Sequence, residues 1–438
     1  MKLSFPRGLS GGVTILVLLC CGNSAASVLI NEIMYHPASE DIREEYIELL
    51  NTGATNVTLA GWRFSKGVQF TFPNVTLAAG GYLVVAADVT VFANKYPGVA
   101  NVIGNWNGRL SNNRNGIDLE DATSNRVDSV GYADEGDWAV RRRTPPDHSH
   151  LGWTWFAEAD GFGKSLELIN ANLPNDQGQN WAPSLVTNGT PGAPNGVLQT
   201  NIAPLILNVQ HLPPIPRSVD SVLVTAQLLD ERNPNLTATL FWRLDGPDSP
   251  FTSQPMYDDG LHSDGIAGDG VFGATIPPQI NNAIVEFYVQ ATDQDNHTRT
   301  WPAAAIDTNG VSLGQAANML YQVDDSTYTG TFPLYKLIMK ETNRVELAQI
   351  GSGAQPGETD SDAEMNGTFI SVDGTGTDVR YITGIRNRGH GTRNKKPNNY
   401  RVGFNTDRQW KGVSALNING QYTHSQLLGA VLALKSGL

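Results

Sequence analysis

The sequence predicts a mainly β protein of tandem antiparallel sandwiches followed by an α+β segment. Two observations lead there. Short runs alternate apolar and polar residues, as in Ile47-Glu48-Leu49 and Trp62-Arg63-Phe64, the period of two that gives a strand one buried and one wet face. These runs are cut at close intervals by Asn51-Thr52-Gly53, Ala79-Gly80-Gly81 and Asn115-Gly116, the turn chemistry of hairpins. The 45 Gly, 24 Pro and 17% charged residues of the 438-residue chain suit loop-rich sheets better than helical bundles, and the length calls for two to four domains.

The chain opens with Lys2 and Arg7, an apolar stretch within Gly12–Cys21, and the small residues Ser24-Ala25-Ala26. This pattern is expected to be a secretory signal over residues 1–26, too short for a membrane span. Both cysteines, Cys20 and Cys21, lie inside it. The exported part is thus expected to be thiol-free and held by its cores, or by bound metal. The formal charge of −13 becomes −15 once the leader is removed, which argues against nucleic acid as a partner. No later apolar stretch reaches membrane-spanning length.

Strands are expected at Val28–Tyr35, Glu45–Asn51, Leu59–Ser65, Val68–Phe72, Tyr82–Ala86 and Ile117–Leu119. The order and spacing of INEIMYHP, EEYIELLNTG, LAGWRFSKGVQFTFP, LAAGGYLVVAAD and VDSVGY closely resemble the lamin-tail domain, which implies an immunoglobulin-like sandwich. Trp62 and Phe64 are read as core residues by their alternation. Residues 151–195, closing with Gly189-Thr190-Pro191-Gly192-Ala193-Pro194-Asn195, resemble the tail end of bacterial secreted versions and extend the first domain to residues 27–196.

His211-Leu212-Pro213-Pro214-Ile215-Pro216 reads as a stiff, extended connector. A second sandwich over residues 197–326 is expected from runs at Val222–Ala226, Ala238–Leu244 and Ile284–Ala291, with Trp242 as a core tryptophan. It resembles bacterial fibronectin-type or immunoglobulin-like modules.

From residue 333 to 438 the charge balance inverts. Between Arg380 and Lys411 nine basic residues face the single acid Asp407. Strands are expected at Leu334–Met339, Tyr400–Phe404 and Ala415–Ile418, and a helix at Leu427–Leu434 from its apolar spacing. YITGIRNRGHGTRNKKPNNYRVGFN, KGVSALNINGQ and the following helix resemble the spore-coat protein H (CotH) kinase-like family, which implies part of an atypical kinase fold. The resemblance places a nucleotide-facing lysine at Lys395 or Lys396, with Arg386 and Arg388 as further anion contacts. The plainer reading is a solvated edge that keeps exposed strands from pairing. ATP and magnesium would be the cofactors of a complete domain of this kind. No Asp or Glu occurs in the 31 residues after Asp407, so the metal-binding half is missing and the chain is expected to be a fragment of a longer reading frame.

A second candidate site is Tyr257–Gly270, where Asp258, Asp259, Asp264 and Asp269 alternate with glycines. Four carboxylates at this density could surround calcium, though the EF-hand order is absent. The competing account is turn chemistry, in which Asp-Gly pairs make tight loops. Asp147-His148-Ser149-His150 could ligate a metal but follows Arg141-Arg142-Arg143, read as a loop that would repel a cation. Trp153-Thr154-Trp155-Phe156 reads as an exposed aromatic run suited to ligand contact.

No catalytic residues are assigned. The chain as written is expected to be a secreted or cell-surface modular protein that binds or spaces, with an extracellular protein or polymer as partner. The alternative is the front part of a secreted CotH-type kinase.

Overall fold

The structure is a computed structural model, and it describes residues 28–232, 235–246, 249–351, 360–389, 393, 398–420 and 435. The leader, Lys395, Lys396 and the helix expected over Leu427–Leu434 lie outside the described residues.

Val28–Met34 sits inside a six-stranded sheet whose order is Trp181–Pro183, Leu166–Leu168, Val28–Met34, Tyr46–Asn51, Tyr82–Ala86 and Val102–Gly104. A five-stranded sheet built from Arg126–Ala133, Arg114–Glu120, Arg63–Lys66, Val68–Thr71 and Asn107–Gly108 faces it. Ile47, Leu49, Phe64 and Ile117 fill the space between, while Arg63 and Ser65 stay exposed on either side of Phe64. Trp62 packs half-buried against the same core.

The face of the six-stranded sheet expected to be wet is covered. Glu32, Glu48 and Glu167 stand on neighbouring strands, and all three are fully buried. Their oxygens are met by backbone amides of the chain that closes over them. Thr190 N donates to Glu32 Oε1 at 2.9 Å, Gly192 N to Glu48 Oε2 at 2.5 Å and Val197 N to Glu167 Oε2 at 3.1 Å. Gly189, at φ +78°, is the hinge of this cover: a Cβ there would lie 2.0 Å from Glu32 Oε1, so only glycine fits. The rest of that face is sealed by the helix Val89–Lys95, whose Phe92 packs on Met34, Tyr46 and Val84. Asp88 caps the helix by accepting from Thr90 N and Val91 N, satisfying two of its free amides.

The second sandwich pairs Leu205–Leu212, Val222–Leu229 and Val271–Ile276 against a sheet of Thr252–Met256, Thr237–Leu244, Ile284–Thr292 and Thr298–Trp301, with Met319–Gln322 also paired to Ile284–Thr292. Val224, Leu240, Phe287 and Val289 form its core, and Trp242 packs on it half-buried. The segment read as a stiff connector, His211–Pro216, begins inside a strand. Leu205–Leu212 is a paired strand of this sandwich, and His211 is buried in it. Ile206, Val209 and His211 are buried, with a register irregularity between Leu207 and Gln210, and the prolines begin only where the strand ends.

The third part is a five-stranded antiparallel meander: Leu334–Met339, Met365–Asp373, Gly376–Asn387, Tyr400–Gly403 and Ala415–Ile418. The helix Glu341–Gln349 packs Leu347 on Met365 and Ile385, and Phe369, Val402, Phe404 and Trp410 form a neighbouring cluster, with Leu337 packed against both. The whole is mainly β, with an α+β C-terminal part.

These parts share walls. Val140–Arg143 pairs with Trp153–Phe156 on one side and, in parallel, with Ala305–Ile306 on the other, so one small sheet draws strands from the first and second regions. The three arginines expected in a loop are therefore in a strand. Tyr381 and Ile382 of the meander enter the core of the second sandwich. Among the described residues no helix is long and apolar enough to cross a membrane.

Candidate functional site: the three-way junction

The predicted anion contacts are engaged elsewhere. Arg386 Nη1 donates to Asp362 Oδ1 at 2.8 Å and Arg388 Nη1 to Asn419 Oδ1 at 2.5 Å. Arg393 binds Asp360 and Asp362, and Lys411 binds Asp373. The acids that meet these basic residues thus precede them in sequence, at Asp360, Asp362, Glu364 and Asp373, where a count restricted to residues 380–411 misses them.

The four aspartates of the Tyr257–Gly270 loop turn inward onto its backbone. Asp258 accepts from Gly268 N, Asp269 N and Gly270 N at 2.8 to 3.2 Å. Asp264 accepts from Gly260 N and His262 N, Asp259 from Leu261 N, and Asp269 from Ile266 N and Val271 N. This is the hydrogen-bond pattern of an Asx-rich turn. Among the described residues no group of three or more His, Cys, Asp or Glu is arranged to hold a metal ion. His150 of the Asp147–His150 turn faces Glu346 at 2.8 Å, and Asp147 accepts from Ser361 Oγ and Asp362 N. That turn docks on the meander.

The aromatic run is also not where it was expected. Trp153 is buried against Ala305 and Ala317, and Trp155 and Phe156 are half-buried. Each ring carries an arginine of the neighbouring strand, directly opposite for Trp153 and Trp155 and diagonal for Phe156. The Arg141 guanidinium lies 5.0 Å from the Trp155 ring centroid, Arg142 lies 4.1 Å from Phe156 and Arg143 lies 4.2 Å from Trp153. The strand Ala305–Ile306 extends this sheet beside Val140–Arg143, and Ala305 packs on Trp153.

Where the three parts meet they enclose a recess of about 370 Å³. Asp137 is its hub. Asp137 Oδ1 accepts from Trp301 Nε1 at 2.7 Å, and Oδ2 accepts from Arg408 Nη2 at 3.1 Å and Gln179 Nε2 at 3.2 Å. Its own N–H donates to Asp407 Oδ2 at 2.8 Å. Gly136 beside it has φ +69°, and a Cβ there would strike the Asp407 carboxylate at 2.0 Å. Burial, and then the neighbouring Asp137 charge, raise Asp407 to about 7.

Trp155, Trp181, Trp301 and Tyr381 supply flat apolar wall, and four arginines line the recess with three carboxylates. Three of the four arginines have partners. Arg408 binds Asp137, Arg380 binds Asp378, and Arg299 donates to the carbonyls of Gln179 and Ala203. Arg141 is the exception. It is 3% exposed, and its Nε and Nη2 have no hydrogen-bond partner. Burial lowers its pKa against the through-space pull of Glu364 and Glu135. A buried ion without full pairing is costly, and such arrangements concentrate at functional sites. The sequence offered no signal for the recess, because its walls come from residues 136–183, 209, 299–303 and 379–408.

Two family models match the chain. Residues 22–134 match the Lamin Tail Domain, and residues 226–295 match the second immunoglobulin-like domain of conditioned medium factor. The chain therefore carries a lamin-tail domain and a second immunoglobulin-like domain, in line with the resemblances noted in its sequence. No curated protein matches the chain. Every residue lining the recess lies outside both matched spans.

Proposed function

We propose that the chain is an exported modular binding protein whose domains are 27–196, 197–326 and 333–438, and whose ligand site is the recess at their junction. The immunoglobulin-like domains support a binding or spacer role, since sandwiches of this kind take their function from grafted sites, not from the fold. The observation that carries the reading is the buried, partly unpartnered Arg141 in the wall of a recess lined by tryptophans. The leader over residues 1–26 supports a secreted or cell-surface location. The last domain, read as the start of a CotH-type kinase-like fold, serves here as the third wall. A nucleotide role for it would rest on Lys395 and Lys396, since Arg386 and Arg388 are already taken up by Asp362 and Asn419.

The test is expression of the full chain with its leader, mass analysis of the product, and titration of its tryptophan emission with a panel of sugars, acids and peptides. A leader removed on export and a saturable emission change are expected. A protein retained with its leader intact, or an emission that no member of the panel alters, would overturn the proposal.

A further inference from the structure

We propose that Glu286 drives formation of a covalent amide bond between Lys340 and Asn318, which joins the second sandwich to the meander. Glu286 lies on Ile284–Thr292, on the face turned away from the sandwich core, since its neighbours Val285 and Phe287 belong to that core. Its cross-strand neighbour Leu320 packs against Ile338 and Ile370 of the meander, and Glu286 is buried beneath them. Both partners of the bond reach one of its oxygens. Lys340 Nζ lies 2.5 Å from Glu286 Oε1, and Asn318 Nδ2 donates to the same oxygen at 2.9 Å. Two nitrogens on one oxygen are neighbours, so the amine stands beside the amide. Asn318 is fully buried and held in place, its Nδ2 by Gln315 O at 2.8 Å and its backbone carbonyl by Asn366 Nδ2 at 3.0 Å. Arg243 Nε donates to the other oxygen, Oε2, at 2.6 Å and fixes the carboxylate.

An amine, an amide and a proton carrier thus meet in one water-poor seam. Lys340 Nζ gives a proton to Oε1 and attacks Asn318 Cγ; the Nζ–Cγ bond forms and the Cγ–Nδ2 bond breaks. Of the three ammonium protons Nζ keeps one, and two pass over Oε1 to Nδ2, which leaves as ammonium. Glu286 ends as the carboxylate it was, still paired with Arg243, and no further reactant is consumed. The reaction runs once per molecule, so a slow rate suffices, and the enforced contact of the groups supplies the main acceleration. A chain whose only cysteines are Cys20 and Cys21 has no disulfide to fasten these parts, and the amide would close the loop from Asn318 to Lys340 instead.

The test is the mass of the full chain, purified in its folded state and measured under denaturing conditions, followed by tryptic mapping. The expected mass is about 17 Da below that of the unlinked chain, the ammonia lost, with a branched peptide joining Asn318 to a Lys340 that trypsin no longer cleaves. Lys340→Arg keeps the ion pair with Glu286 but not the nucleophilic amine, and Glu286→Gln removes the proton carrier; both should show the full mass and no branched peptide. Lys340→Arg should melt roughly 5–10 °C below the native chain, through loss of the closed loop. A folded native chain at its full mass overturns the proposal and leaves the three residues as a buried ion pair with an amide beside it. The same mass deficit without the branched peptide overturns it too, by placing the ammonia loss elsewhere. A branched peptide that persists in Glu286→Gln overturns the role of Glu286.

Discussion

The backbone N–H of Asp137 donates to Asp407 Oδ2 at 2.8 Å, tying a turn after the lamin-tail span to a loop 270 residues later. The same carboxylate is raised to about 7 from 3.8 by burial and by the Asp137 charge. A carboxyl whose folded pKa exceeds its unfolded one holds its proton longer in the folded state. Its contribution is therefore complete below about pH 4 and is lost as pH rises through 7. Glu32, raised to about 7, and Glu48, raised to about 8, act in the same direction, burial being the first cause in each. The melting temperature should fall between pH 5.5 and 8.5. Asp407→Asn, which mimics the neutral acid, should match the native chain at pH 5.5 and exceed it at pH 8.5. A native curve flat across that interval would refute this.

Gly189→Ala tests the cover over the buried glutamates. The substitution forces a Cβ into a backbone at φ +78° and against Glu32, Tyr46 and Ser165. A loss of about 2–4 kcal/mol is expected from the left-handed backbone and the overpacking together. Chemical denaturation measures it, and a loss below about 0.5 kcal/mol, the range of neutral surface changes, would show that the cover lifts easily.

Asp258→Ala removes the acceptor of three amides in the Tyr257–Gly270 loop. The cost should be about 1–3 kcal/mol, and the same in calcium and in EDTA, because the oxygens serve the backbone. A melting temperature of the native chain that drops on adding EDTA would return the loop to a cation site.

Tyr381→Phe addresses the contact between meander and second sandwich. Tyr381 Oη lies 2.5 Å from His211 Nδ1 and accepts from His211 N at 3.1 Å. Burial lowers His211 to about 4, so the ring is neutral. Removing the hydroxyl leaves a buried amide without its partner, which should cost about 1–3 kcal/mol at pH 7. The ring's own contribution is present above pH 6.5 and is lost as pH falls through 4, opposite in sign to the carboxylates. Unchanged unfolding of the variant would mean that His211 finds another partner.

Much of the sheet structure was legible. Leu334–Met339 and Ala415–Ile418 run as their alternation predicts, and Ile47, Leu49 and Phe64 point to the core. The helix Val89–Lys95 carried a readable signal in its Asp88 cap that strand alternation overshadowed. The buried face of the first sheet was not legible, because Glu32 and Glu48 are satisfied by backbone amides near residue 190, and amides leave no mark in side-chain pattern. Arg386 looked available because its partner Asp362 lies outside the basic stretch. The recess was invisible for a related reason. Asp137, Trp301 and Arg408 belong to different parts of the chain, and only tertiary packing brings them together.

The parallel pairing of Arg142 with Ile306 bears on how the molecule can be dissected. A fragment ending near residue 200 would keep Val140–Arg143 but lose the neighbour that occupies its outer margin. Its bare N–H and C=O row would be open to strands of other copies. Such truncations should pass from monomer to oligomer as concentration rises, while the intact chain does not.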